Sequence, residues 1–181
     1  IVDIDGDGQN DVVACDTTRG VISRFKRDGE GTWQEEVLLK DLADPAHATV
    51  VDIDADGDQD IIVSILGNLL PDDRVIGRVE LYERKGDEYV RHVILDDVRR
   101  VADVQPGDFD GDGDLDLAVG IFGYIRGSVL WLENQGDLQF RDHELLNAPG
   151  TIHVPVADYD GDGDLDIAAI VDIGNPEILN Y

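Results

Sequence analysis

The chain has 181 residues, 41 acidic against 14 basic, for a formal charge of −27. That length suffices for a sizeable buried core, while the charge argues against electrostatic binding to nucleic acid or to an anionic membrane surface. A single cysteine, Cys15, rules out an intrachain disulfide, and no apolar stretch approaches the length of a membrane span.

In chain order, the first element is an acidic loop, Asp3-Ile-Asp5-Gly-Asp7-Gly-Gln9-Asn-Asp11, followed by the apolar run Val12-Val-Ala. A strand around Val21, Ile22 and Phe25 lies between Gly20 and Gly29, then Trp33 and a strand ending Val37-Leu-Leu. Residues 46–51 read as the strand that opens the next unit. The loop then returns as Asp52, Asp54, Asp56, Asp58 and Asp60, with Ile61-Ile-Val after it. An insertion over 67–77 carries Leu69, Leu70, Pro71 and Asp72, and offers either a contact site or residues that fold back. The pattern resumes with Gly77, a strand over Val79, Leu81 and Tyr82, Gly86, Tyr89 and Val93-Ile-Leu. The third unit holds a strand at 101–107 and the loop Asp108, Asp110, Asp112, Asp114 and Asp116. Leu117-Ala-Val, a strand over Val129, Trp131 and Leu132 between Gly127 and Gly136, Phe140 and Glu144-Leu-Leu complete it. The fourth opens with a strand at 152–157 and the loop Asp158, Asp160, Asp162, Asp164 and Asp166, followed by Ile167-Ala-Ala.

The loops begin at 3, 52, 108 and 158, and spacings of 49, 56 and 50 indicate a structural repeat. Each unit is strand, loop, strand, connection, strand, Gly turn, strand, with no helical periodicity. Repeated four-stranded antiparallel units of this size are the blades of a β-propeller. The expectation is an all-β fragment of about three to four blades within a single unit over 1–181. It divides into a partial repeat at about 1–40, whole repeats at 41–96 and 97–147, and a partial repeat at 148–181, an excerpt of a longer propeller.

Each loop has acids at its first, third, fifth and ninth positions and Gly at its sixth. Four carboxylates in nine residues repel one another unless a cation neutralises them. Ca²⁺ suits oxygens converging from alternate residues of a tight loop. The seventh position, at Gln9, Asp58, Asp114 and Asp164, would add a backbone carbonyl. The bidentate Glu that ends an EF-hand is absent, because Ala14, Val63, Val119 and Ala169 stand at the twelfth place. Mg²⁺ demands octahedral geometry and Zn²⁺ prefers His and Cys, which these loops lack. Four bound Ca²⁺ would move the formal charge from −27 to −19.

On these four D-x-D-x-D-G-x-x-D-type loops the chain resembles the FG-GAP/VCBS repeat proteins, among whose relatives is the integrin α-subunit head. Phe122-Gly123 and Leu66-Gly67 stand in the place of the family's Phe-Gly. Its Gly-Ala-Pro is not matched beyond the loose echo Ala148-Pro149-Gly150, which favours the broader VCBS group. The resemblance implies calcium ligands at Asp3, Asp5, Asp7 and Asp11 and at the matching residues of the other loops. It also implies a seven- or eight-bladed parent and an extracytoplasmic location.

Five residues before each later loop stand His47, Asp103 and His153, expected on innermost strands at one mouth of the channel, opposite the loops. They suit either a transition metal or acid–base work, or simply line a wet channel. His92 and His143 fall on outer strands and are expected to face solvent, while Arg99 and Arg100 place positive charge at the same mouth. Two functions fit: a Ca²⁺-stabilised adhesion scaffold for a protein or glycan partner, or the propeller of a larger extracytoplasmic enzyme, such as a polysaccharide lyase or redox protein. No catalytic constellation is evident, and neither nucleic acid nor membrane insertion is expected.

Overall fold

The computed structural model describes residues 1–70 and 73–172, so Pro71, Asp72 and the end of the last expected repeat lie outside the described residues. All described elements are β. The first sheet is antiparallel in the order β1 (Val12–Asp16), β2 (Val21–Arg27) and β3 (Trp33–Leu39), and Val2 bridges to Asp11 beside it. The second holds β4 (Pro45–Val51), β5 (Asp60–Ile65), β6 (Gly77–Lys85) and β7 (Glu88–Val98) in sequence order. The third repeats that order with β8 (Arg100–Gly107), β9 (Asp116–Phe122), β10 (Ser128–Asn134) and β11 (Phe140–Asn147). Last come a nested pair of hairpins, β12 (Thr151–His153) with β15 (Ile170–Val171) and β13 (Val156–Ala157) with β14 (Asp166–Ile167).

The apolar runs after the second and third loops are buried on both faces, which explains why they are continuous rather than alternating. Side chains on a strand point to opposite faces in turn. Ile61, Val63 and Ile65 of β5 pack with Ile4, Ile22 and Leu39 of the first unit. Ile62, between them, packs with Leu117, Val119 and Ile121 of β9. One repeat on, Ala118 of β9 turns the other way, onto Val154. β5 and β9 are thus each a shared wall between two cores, and β4 lies beside β8 so that successive sheets stack through them.

The aligned glycines mark close approach. A Cβ at Gly77 would sit 2.1 Å from the Arg99 carbonyl, and one at Gly127 would sit 2.6 Å from that of Ile121. Cys15 is half-buried, its thiol donates to the Pro45 carbonyl at 3.2 Å, and burial pushes its pKa up to about 11. The 67–77 insertion leaves Leu69 and Leu70 exposed rather than folded back.

The strand expected over 152–157 is broken into β12 and β13. The reason is local: Pro155 has no N–H for a ladder, and the Val154 N–H donates instead to Asp103 Oδ2 at 2.9 Å.

Candidate functional site

The four loops share one hydrogen-bond pattern. The sixth-position amide donates to the first-position carboxylate, at 2.8 Å for Gly8 to Asp3, 3.0 Å for Gly57 to Asp52, 3.1 Å for Gly113 to Asp108 and 3.2 Å for Gly163 to Asp158. The seventh-position amide donates to the fifth-position carboxylate: Gln9 to Asp7, Asp58 to Asp56, Asp114 to Asp112 and Asp164 to Asp162. The second-position amide donates to the ninth-position carboxylate, from Ile4, Ile53, Phe109 and Tyr159 to Asp11, Asp60, Asp116 and Asp166. These bonds curl the loop around its own acids.

The sixth-position glycines have positive φ, from 84° at Gly8 to 101° at Gly163, as the sequence predicts. The fourth position is left-handed too, and there Ala55, at φ 57°, stands where the other loops have glycine. Carboxylate oxygens of Asp3, Asp5 and Asp11 lie within 4.8 Å of one another, as do those of Asp52, Asp54 and Asp60, of Asp108, Asp110 and Asp112, and of Asp158, Asp160 and Asp166.

The electrostatics differ between loops. Burial and the neighbouring carboxylates push the Asp110 pKa up, and burial does the same at Asp54 and Asp60. The buried Asp52 Oδ1 has no hydrogen-bond donor. Crowded carboxylates raised in this way fit a hard cation. The first loop differs. Arg24 Nη2 contacts Asp5 Oδ2, and Lys26 Nζ sits 2.6 Å from the same oxygen and 2.5 Å from Asp7 Oδ2. Lys26 and then Arg24 hold Asp5 far below the usual carboxylate range, and Lys26 lowers Asp7.

On the first strands of three successive units, β4, β8 and β12, His47, Asp103 and His153 form one cluster. Asp103 is 1% exposed. His47 Nδ1 lies 2.9 Å from its Oδ1, and His153 Nδ1 contacts its Oδ2. Gln105 Nε2 donates to Oδ1 at 2.9 Å, and the Val154 amide donates to Oδ2. A register irregularity immediately precedes each cluster residue, between Pro45 and His47, Val101 and Asp103, and Thr151 and His153. Such bulges re-aim a side chain. Burial alone would raise the Asp103 pKa, but His47, the Val154 amide and Gln105 outweigh it and bring it to about 2. Asp103 in turn raises the pKa of His47. One carboxylate thereby ties three successive repeats together.

The other expected residues fall elsewhere. His92 and His143 are on outer strands but half-buried rather than solvent-facing. His92 pairs with Glu83 at 2.9 Å and His143 with Glu133 at 2.6 Å, and His143 stacks on Trp131 at 4.6 Å. The cause is the cross-strand register, which sets a glutamate diagonally opposite each ring. Arg100 is buried over the Phe122 ring at 4.5 Å and donates to the Leu70 carbonyl, so it is a packing residue. The buried Glu80, which takes hydrogen bonds from Tyr82, Arg91 and Arg78, gave no sequence signal beyond being a lone acid in an apolar strand.

The profile of the FG-GAP-like repeat family matches residues 3–63 and 121–169. These stretches contain the first, second and fourth loops. No curated protein matches the chain.

Proposed function

We propose that this chain, which belongs to the FG-GAP-like repeat family, is part of a β-propeller whose loops hold Ca²⁺ and which serves as a rigid binding and adhesion platform. The observation that carries the proposal is the repeated curl of carboxylates, with the buried Asp52 Oδ1 left without a donor. When bound, Ca²⁺ would supply charge neutralisation and cross-link the loop. In the second to fourth loops the holding residues would be Asp52, Asp54, Asp56 and Asp60, Asp108, Asp110, Asp112 and Asp116, and Asp158, Asp160, Asp162 and Asp166. The carbonyls of Asp58, Asp114 and Asp164 would complete the shells. An affinity in the range of extracellular Ca²⁺ modules, about 10⁻⁴–10⁻³ M, goes with this reading. An extracytoplasmic location is part of the same proposal. The partner class that fits is a protein or glycan met on one face of the propeller, with further blades supplied by the parent chain.

A second reading, the propeller domain of a larger extracytoplasmic enzyme, draws on the His47–Asp103–His153 cluster, where a buried carboxylate orients two half-exposed imidazoles. Calorimetric titration of chelator-stripped protein tests the first reading. Ca²⁺ is expected to bind with Mg²⁺ at least tenfold weaker, and Asp110→Asn with Asp112→Asn should remove one ion. Retention on an immobilised glycan panel should then require Ca²⁺ and vanish in EDTA. Equal binding of both ions, or retention indifferent to EDTA, counts against it.

A further inference from the structure

We infer that the first loop supplies its own cation, so that the metal dependence of this chain resides in the loops at 52–60, 108–116 and 158–166. This rests on the calcium reading above and divides it.

The register identifies what is different. Arg24 pairs with Val13 across β1 and β2. The matching pairs in the next units are Leu81 with Ile62 and Trp131 with Ala118. Arg24 therefore stands where the other repeats carry an apolar residue. Two residues on, Lys26 stands where they carry Glu83 and Glu133. Both exchanges put a positive charge on the strand that faces the loop.

The two side chains then occupy the carboxylates that an ion would use. The Arg24 side chain is 8% exposed, with Nη2 on Asp5 Oδ2 and Nε 3.0 Å from Asp11 Oδ2. Lys26 spans Asp5 and Asp7. Asp11 Oδ1 is buried without a hydrogen-bond donor, so the guanidinium beside it acts as compensating charge rather than as a full set of hydrogen bonds. The loop also has the least charge to neutralise, because Gln9 replaces the fifth acid found in the others.

The remaining loops lack such a lock. Lys85 lies 3.9 Å from Asp54 and 3.7 Å from Asp56, but it is half-exposed and its ammonium sits 2.5 Å from Glu83. It can swing away at little cost. Among the described residues, no Lys or Arg forms an ion pair with the loops at 108–116 and 158–166. A Ca²⁺ entering the first loop must either expel a buried guanidinium or sit beside it, and like charges at such range in a partly dry site repel strongly.

Equilibrium dialysis of the whole chain against saturating Ca²⁺ tests this by counting ions. Wild type is expected to hold three. Asp5→Asn with Asp7→Asn should leave the count at three, whereas Asp110→Asn with Asp112→Asn should lower it to two. Arg24→Leu with Lys26→Glu, which copies the second repeat, should raise it to four. A wild-type count of four that falls to three in Asp5→Asn with Asp7→Asn overturns the inference while leaving calcium binding intact. A count of zero in wild type and in every variant overturns the calcium reading itself, and the inference with it. The aspartate variants decide between these outcomes even if the Arg24 and Lys26 variant does not fold.

Discussion

Replacing Asp103 with alanine is expected to cost about 3 kcal/mol of stability or more, although the residue lies far from every acidic loop. Its carboxylate is 1% exposed, accepts hydrogen bonds from Gln105 and the Val154 amide, contacts His153, and lies 2.9 Å from His47 Nδ1. Substitution leaves a buried amide without an acceptor and severs the link between the second, third and fourth units. His47→Ala or His153→Ala should cost about 1 kcal/mol or less, since the rings are 41% and 46% exposed and water replaces their contacts. Urea denaturation in excess Ca²⁺ separates the two outcomes.

The cluster also has a pH signature. The folded pKa of His47 is raised, so its contribution is complete below the unfolded value of about 6.5 and fades as pH rises through the folded one. The folded pKa of Asp103 is lowered to about 2. Its contribution is complete above the unfolded value of about 3.9 and is lost as pH falls towards 2. Stability from this cluster is therefore greatest between about pH 4 and 6.5. Asp103→Asn should flatten both limbs, and a profile unchanged by that substitution would show that the cluster is not coupled to folding.

The second large effect belongs to Asp116, the ninth residue of the third loop. It is 1% exposed, and its Oδ1 accepts the Asn134 amide at 2.7 Å while its Oδ2 accepts that of Phe109. Asp60 does the same for Arg84 and Ile53. Asp116→Ala is expected to cost about 4–6 kcal/mol in Ca²⁺: about 1–3 for the orphaned amides and about 2.7 for a site held at a hundredfold its Kd. In EDTA only the first part should remain. Asp114→Ala should stay within about 0.5 kcal/mol in either condition, because that side chain is exposed and the proposed ligand there is its carbonyl. Equal losses from Asp114→Ala and Asp116→Ala would contradict the assignment.

Much of this is legible in the sequence, for identifiable reasons. Alternating acids and a fixed glycine are local signals, and the curl of each loop is made from bonds two to seven residues apart. The juxtaposition of His47, Asp103 and His153 follows from equal offsets in a repeat, since equivalent positions on stacked sheets become neighbours. What was hidden depends on side-chain reach. Arg24 and Lys26 meet Asp5 across 19 and 21 residues, through the β1–β2 register. Only a comparison of Arg24 with Leu81 and Trp131 gives them away. The left-handed Ala55 was hidden because alanine carries no turn signal. The sequence puts His92 and His143 in solvent because outer strands usually face water, yet here each has a glutamate within reach on the neighbouring strand. Pro155 flagged an unusual strand, but only the fold shows that Asp103 takes the adjoining amide.

The central claim is that these loops need Ca²⁺ to be stable, and thermal unfolding of EDTA-stripped protein titrated with Ca²⁺ or Mg²⁺ tests it most directly. Three sites at a hundredfold their Kd contribute about 8 kcal/mol together, which for a chain of this size is a rise of about 15–30 °C in Tm. The prediction is a rise of that order with Ca²⁺ and a much smaller one with Mg²⁺. No rise, or the same rise with both ions, would contradict the account and leave the loops as acidic turns held by their own hydrogen bonds.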